Sequence, residues 1–116
     1  MNTRIRKKRK LLKHDFSKKE VYNAGLTASK YLYALIRKFR YADKYGYPYD
    51  LTSRKWDEVL DAMLWSFDQI RRDYSGSPDP LVFETKEEYH QAMAEYNSKL
   101  EQGLGYFAKY IHDLWD

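Results

Sequence analysis

Cysteine is missing from all 116 residues. Neither a disulfide framework nor a zinc-thiolate centre can staple the fold, and a reducing interior, the cytoplasm, is the expected compartment. Long apolar runs are missing too. No stretch approaches the roughly 18 residues that a bilayer span needs, and the basic start is not followed by the apolar segment of a signal peptide. The expectation is a protein that is neither inserted into a membrane nor exported. Catalytic signatures are equally scarce: no serine or cysteine nucleophile stands with a matching histidine, and no glycine-rich phosphate loop is present. Function is therefore sought in binding, with no enzyme activity and no cofactor expected.

Aromatic residues are what the chain has in quantity, at 17%, and tyrosine alone supplies 12 residues. Tyrosine rings offer contact area at low entropic cost while their hydroxyls stay hydrated, which suits recognition. The formal charge of +4 hides a polar split. Residues 1–49 hold 14 Lys/Arg against 3 Asp/Glu, giving +11, and the remainder holds 7 against 14, giving −7. The basic half can meet nucleic acid, a nucleotide or an acidic protein. Equally, the two halves can pair with each other, within one chain or between subunits.

Periodicity predicts an all-α protein, a small antiparallel bundle of about three main helices with a basic N-terminal arm. The arm covers residues 1–16 and carries Arg4, Arg6, Lys7, Lys8, Arg9, Lys10 and Lys13. Residues 17–116 form a single helical domain with a linker at 75–84. Ser17 and Glu20 have capping-box spacing. Behind them Val21, Ala24, Ala28, Leu32, Leu35, Ile36 and Phe39 recur at helical steps on one face as far as about Lys44, with Gly25 a candidate break. Gly46-Tyr47-Pro48 marks a tyrosine-rich loop. Thr52 or Ser53 caps the next helix, whose stripe is Trp56, Val59, Leu60, Met63, Leu64, Phe67 and Ile70. Thr85 and Glu88 open the last helix, which bears Tyr89, Met93, Tyr96, Leu100, Leu104, Phe107, Ile111 and Leu114. Gly103 and Gly105 there mark a close helix contact or a bend.

The run from Tyr41 to Phe67 holds the Gly46-Tyr47-Pro48 turn, then Trp56-Asp57-Glu58-Val59-Leu60-Asp61-Ala62-Met63 and Trp65-Ser66-Phe67. The tail reads Gly103-Leu104-Gly105-Tyr106-Phe107-Ala108-Lys109-Tyr110 and ends Leu114-Trp115-Asp116. With Ile36-Arg37-Lys38-Phe39-Arg40, these segments resemble a family of small bacteriophage proteins. That family carries a glycine-tyrosine-proline turn, a tryptophan-led helix of the WDEIL type and a similar leucine-tryptophan end. The resemblance covers roughly residues 28–74 and 99–116. It implies a phage context in the host cytoplasm and an accessory role: antagonist of host defence, modifier of host machinery, or replication helper. It supplies no catalytic residue. The chain departs from the family pattern at its N-terminus, where the basic arm replaces a polar or aromatic lead-in.

A basic-aromatic surface of Lys30, Arg37, Arg40, Tyr41, Lys44 and Tyr45 is the leading candidate site for an anionic ligand, nucleotide or nucleic acid. Guanidinium forks grip phosphate and aromatic rings stack on bases. A solvated helix face with half-buried tyrosines would show the same pattern. The arm can track a phosphate backbone through counterion release, or can simply solubilise the chain. Glu87 and His90 have the Glu-x-x-His step of dimetal bundles, but His14 and His112 offer no matching second pair, so no metal is expected. Asp57, Glu58, Asp61, Asp68, Glu84 and Glu87 bring to mind the magnesium-binding acids of all-α nucleotide pyrophosphohydrolases, without that family's order or spacing. Solvated charge and helix-end electrostatics account for them. Leu104, Phe107, Ile111 and Trp115 are the expected interface of a homo-oligomer.

Overall fold

The computed structural model describes residues 16–43 and 46–114. Four α-helices follow one another: α1 (Lys18–Tyr22), α2 (Ala24–Tyr41), α3 (Ser53–Arg71) and α4 (Lys86–Tyr110). Single 3-10 turns lie at Pro80–Val82 and Ile111–Asp113. Among the described residues there is no strand, so the fold is all-α, with α2, α3 and α4 as its three main helices. The basic arm lies outside the described residues, apart from its last position, Phe16.

Local side-chain chemistry sets most helix starts. Glu20 N–H donates to Ser17 Oγ at 3.2 Å while Ser17 N–H donates to Glu20 Oε1 at 3.1 Å, closing the capping box. Thr52 Oγ1 accepts from Lys55 N–H and Thr85 Oγ1 from Glu88 N–H, each at 3.1 Å. Each such cap stabilises a helix by about 1 kcal/mol. The break in the first helical stretch falls at Asn23, not at Gly25, which sits inside α2. Thr27 Oγ1 donates to the Glu20 carbonyl at 3.0 Å across that break.

Helix α3 is the middle element, with α2 on one side and α4 on the other. Both neighbours run antiparallel to it. Arg40, near the end of α2, meets Asp57 and Asp61 near the start of α3, while Arg71 at the end of α3 lies 4.0 Å over the ring of Tyr33. On the other side Trp56 and Tyr110 meet edge to face at 5.7 Å, and Tyr96 Oη donates to Gln69 Oε1 at 2.9 Å. The core consists of Ile36, Trp56, Val59, Leu60, Met63, Phe67 and Tyr110. Burial of each large apolar side chain contributes about 2 kcal/mol. Five of the seven come from α3, because a helix covered on two sides must be apolar on two sides.

Close approach of α3 and α4 depends on one glycine. A Cβ at Gly103 would overlap Ser66 Oγ and the Ala62 carbonyl oxygen, whereas one at Gly105 would meet only open space. Ser66 is fully buried there and donates to the Leu100 carbonyl at 2.9 Å. Gly103 therefore marks a helix contact and Gly105 does not. The α3–α4 connection opens with a Schellman turn, in which Asp73 N–H donates to the Ile70 carbonyl and Tyr74 N–H to the Gln69 carbonyl. Asp73 and Tyr74 adopt left-handed conformations there, at φ 54° and 60°.

Candidate functional site

The seven apolar positions read as one face of the first helical stretch divide into two. Leu32, Ile36 and Phe39 turn inward to the core, whereas Val21, Ala24, Ala28 and Leu35 are exposed. Residues spaced at three and four span an arc wide enough for both groups, and packing against α3 alone decides which half is covered.

The outer side of α2 carries the candidate basic-aromatic residues. Lys30, Arg37 and Tyr41 fall seven and four residues apart, hence on one face, and all three are exposed. Among the described residues neither Lys30 nor Arg37 forms an ion pair. Tyr41 is 71% exposed, and the Arg40 guanidinium lies 5.1 Å from the centre of its ring.

Arg40 touches Tyr41 but, unlike Lys30 and Arg37, is turned toward α3. Its Nε donates to Asp61 Oδ1 at 2.8 Å, a second nitrogen reaches Asp61 Oδ2 at 3.4 Å, and Asp57 lies 3.5 Å away. The hydrogen bond to Asp61 is the main cause that raises its pKa above the ordinary arginine value. A guanidinium already gripped by two carboxylates fastens α2 to α3, and a phosphate would have to displace them. Lys44 and Tyr45 lie outside the described residues.

Beyond the end of α2, Arg40, Tyr41, Ala42, Asp43, Gly46, Tyr47, Ser53, Trp56 and Asp57 line a polar hollow of about 380 Å³. Asp43 and Asp57 place negative charge in it, which opposes an anion, so phosphate chemistry is better served by the Lys30–Arg37 face. Tyr47 and Tyr49 are exposed near this end, as the tyrosine-rich loop implied.

The acids of α3 are engaged rather than gathered. Asp57 and Asp61 hold Arg40, Glu58 meets Arg54 and Lys55, and Asp68 meets Arg71 and Arg72. Glu87 and His90 are both exposed on α4, and no cluster of three metal-ligating side chains occurs among the described residues.

The expected oligomer interface is partly spent inside the chain. Leu104 and Phe107 lie against the core, and the Phe107 ring meets Phe67 edge to face at 5.1 Å. Ile111 is 47% exposed, and Trp115 lies outside the described residues. Together with Leu32, Leu35, Phe39, Ala42 and Leu114, Phe107 and Ile111 line an apolar groove of about 530 Å³ between α2 and the end of α4. This groove escaped the sequence reading because its two walls are some seventy residues apart in the chain. Its signal was the excess of apolar positions on α2 over what one buried face needs.

No family model, no curated protein and no solved structure matches the chain.

Proposed function

We propose that the chain is a non-enzymatic binding protein whose outer α2 face takes an anionic partner. One observation carries this reading. Lys30 and Arg37 present cationic groups that form no ion pair among the described residues, on the same exposed face as Tyr41, while Arg40, through Asp61, and Arg71, over the ring of Tyr33, join α2 to α3. Exposed cations beside an exposed ring suit phosphate with an attached base, or a carboxylate-rich protein surface.

The resemblance to small phage proteins supplies the setting: the host cytoplasm, where the protein antagonises a host process, a defence system above all. It does so by sequestering a nucleotide signal or occluding a protein that handles nucleic acid. A nucleic-acid-binding accessory role in phage replication or transcription is the second reading, favoured by Arg4, Arg6, Lys7, Lys8, Arg9 and Lys10, which suit a polymer. Among the described residues no helix is long and apolar enough to cross a membrane.

Incubation of the full chain with a nucleotide pool and with short duplex DNA, followed by recovery of bound material, tests this. The expected result is ligand retained by the wild type, lost in the Lys30→Ala/Arg37→Ala variant and released chemically unchanged. Magnesium-dependent consumption of a nucleotide would overturn the non-enzymatic reading. Retention of duplex DNA with a steep salt dependence, and none of mononucleotides, would favour the second role.

A further inference from the structure

The groove between α2 and the end of α4 has a counterpart elsewhere in the same chain. In the α3–α4 connection the 3-10 turn Pro80–Val82 holds two apolar side chains in water: Leu81 is 91% exposed and Val82 74%. The turn is fixed in shape. Asp79 Oδ1 accepts from Leu81 N–H at 3.0 Å, the Asp79 carbonyl accepts from Val82 N–H at 3.1 Å, and the ring of Phe83 lies 6.0 Å from that of Tyr89. An apolar knob held in this way loses little conformational freedom when it is buried.

The groove offers the complementary surface. Leu35, 68% exposed, stands on its α2 wall and Ile111, 47% exposed, on the other, with the buried Ile36 between them and α3. Charge matches as well. Among the described residues Lys38 is the one charged side chain lining the groove, while Asp79 and Glu84 flank the turn. All three are exposed, and none forms an ion pair among the described residues. Opposite charges at the two rims orient such a contact. Pairing of groove with groove would instead bring two Lys38 side chains into one interface with no carboxylate from the lining.

The two surfaces cannot meet within one chain. The turn sits beside Tyr89 near the start of α4, whereas Phe107, on the wall of the groove, stands roughly 27 Å further along the same helix. The knob that fits the groove must come from another copy.

We propose that the Pro80–Val82 turn of one copy docks in the α2–α4 groove of another, so that the protein associates with itself through two unlike surfaces. Phe107 and Ile111, expected from the sequence to form an oligomer interface, then supply only its receiving side. Each copy carries one knob and one groove, so the contact is heterologous. It does not depend on the face of Lys30, Arg37 and Tyr41.

Light scattering or sedimentation equilibrium of the full chain from about 10 μM to about 1 mM, the range suited to a small contact, tests this. The wild-type mass should rise above the 14.0 kDa of one chain. Leu35→Asp and Leu81→Asp should each stay monomeric where the wild type associates, and both should keep its circular dichroism, since both side chains are exposed. Mixed together, these two variants should form a one-to-one complex, because the intact groove of Leu81→Asp receives the intact turn of Leu35→Asp. Lys38→Glu should weaken wild-type association about two- to five-fold. If Leu35→Asp does not fold, Ile111→Asp supplies the groove-side variant. A single-chain mass for the wild type throughout, or a mixture of the variants that stays monomeric, would overturn the inference. So would association lost in Leu35→Asp but kept in Leu81→Asp, the mark of groove-to-groove pairing, or association strengthened by Lys38→Glu.

Discussion

Replacing Gly103 by alanine drives a methyl group into Ser66 Oγ and the Ala62 carbonyl oxygen, and the carbonyl belongs to a helix backbone that cannot step aside alone. The helix-propensity gain of nearly 1 kcal/mol is outweighed by overpacking, so a net loss of about 2 kcal/mol is expected in urea unfolding. Gly105→Ala, facing open space, should gain up to about 1 kcal/mol. The two glycines look alike in sequence because what separates them is the position of α3, which no local pattern encodes. The caps at Ser17, Thr52 and Thr85 were legible for the opposite reason: donor and acceptor lie three residues apart. Tyr96 supplies a pH prediction. Burial, with a smaller contribution from Tyr74, holds its phenol above the ordinary value of 10.0. Below 10.0 the phenol is neutral folded and unfolded, and its contribution is complete. As pH rises above that value the unfolded chain ionises first and stability falls. Tyr96→Phe leaves Gln69 Oε1 without its donor, costing about 1–3 kcal/mol at neutral pH, and the gap to wild type should narrow above pH 10.0 in thermal melts.

At the scale of the helix, α2 divides labour between arginines three residues apart. Arg40→Ala releases Asp57 and Asp61 and should lower stability by about 1 kcal/mol, less at high salt because the carboxylates are half exposed. Arg37→Ala should leave unfolding unchanged and weaken binding of the anionic partner. Equal stability losses in the two variants would show that the division is wrong. Sequence placed both on a basic helix but could not separate them, since the Asp61 partner of Arg40 lies 21 residues away on another helix. The Schellman turn ending α3 makes a further point. Asp73 sits where glycine is ordinarily found, so Asp73→Gly should raise stability by about 0.5 kcal/mol, relief of the left-handed strain exceeding the entropy lost from the unfolded chain.

Across the whole molecule, among the described residues only Arg40, paired with Asp57 and Asp61, joins the basic half of the sequence to the acidic half. Arg54, Lys55, Arg71, Arg72 and Lys109 pair with carboxylates of their own acidic half, while Lys30 and Arg37 form no ion pair among the described residues. The antiparallel order of three helices followed from periodicity and short connections. The groove between α2 and α4 did not, because it depends on both helices choosing α3 over each other. For oligomerisation, Phe107 packs against the core, so Phe107→Asp would destabilise the chain itself, whereas Ile111→Asp probes the exposed surface. Most directly tested by solution NMR is the claim that α2 is a scaffold on one side and a recognition surface on the other. On titration of the full-length protein with a mononucleotide, the account predicts amide shifts concentrated at Lys30, Arg37 and Tyr41, absent in Arg37→Ala, with Asp57 and Asp61 unmoved. Shifts confined to the hollow around Arg40, Tyr47 and Asp57, or to α4, would contradict it.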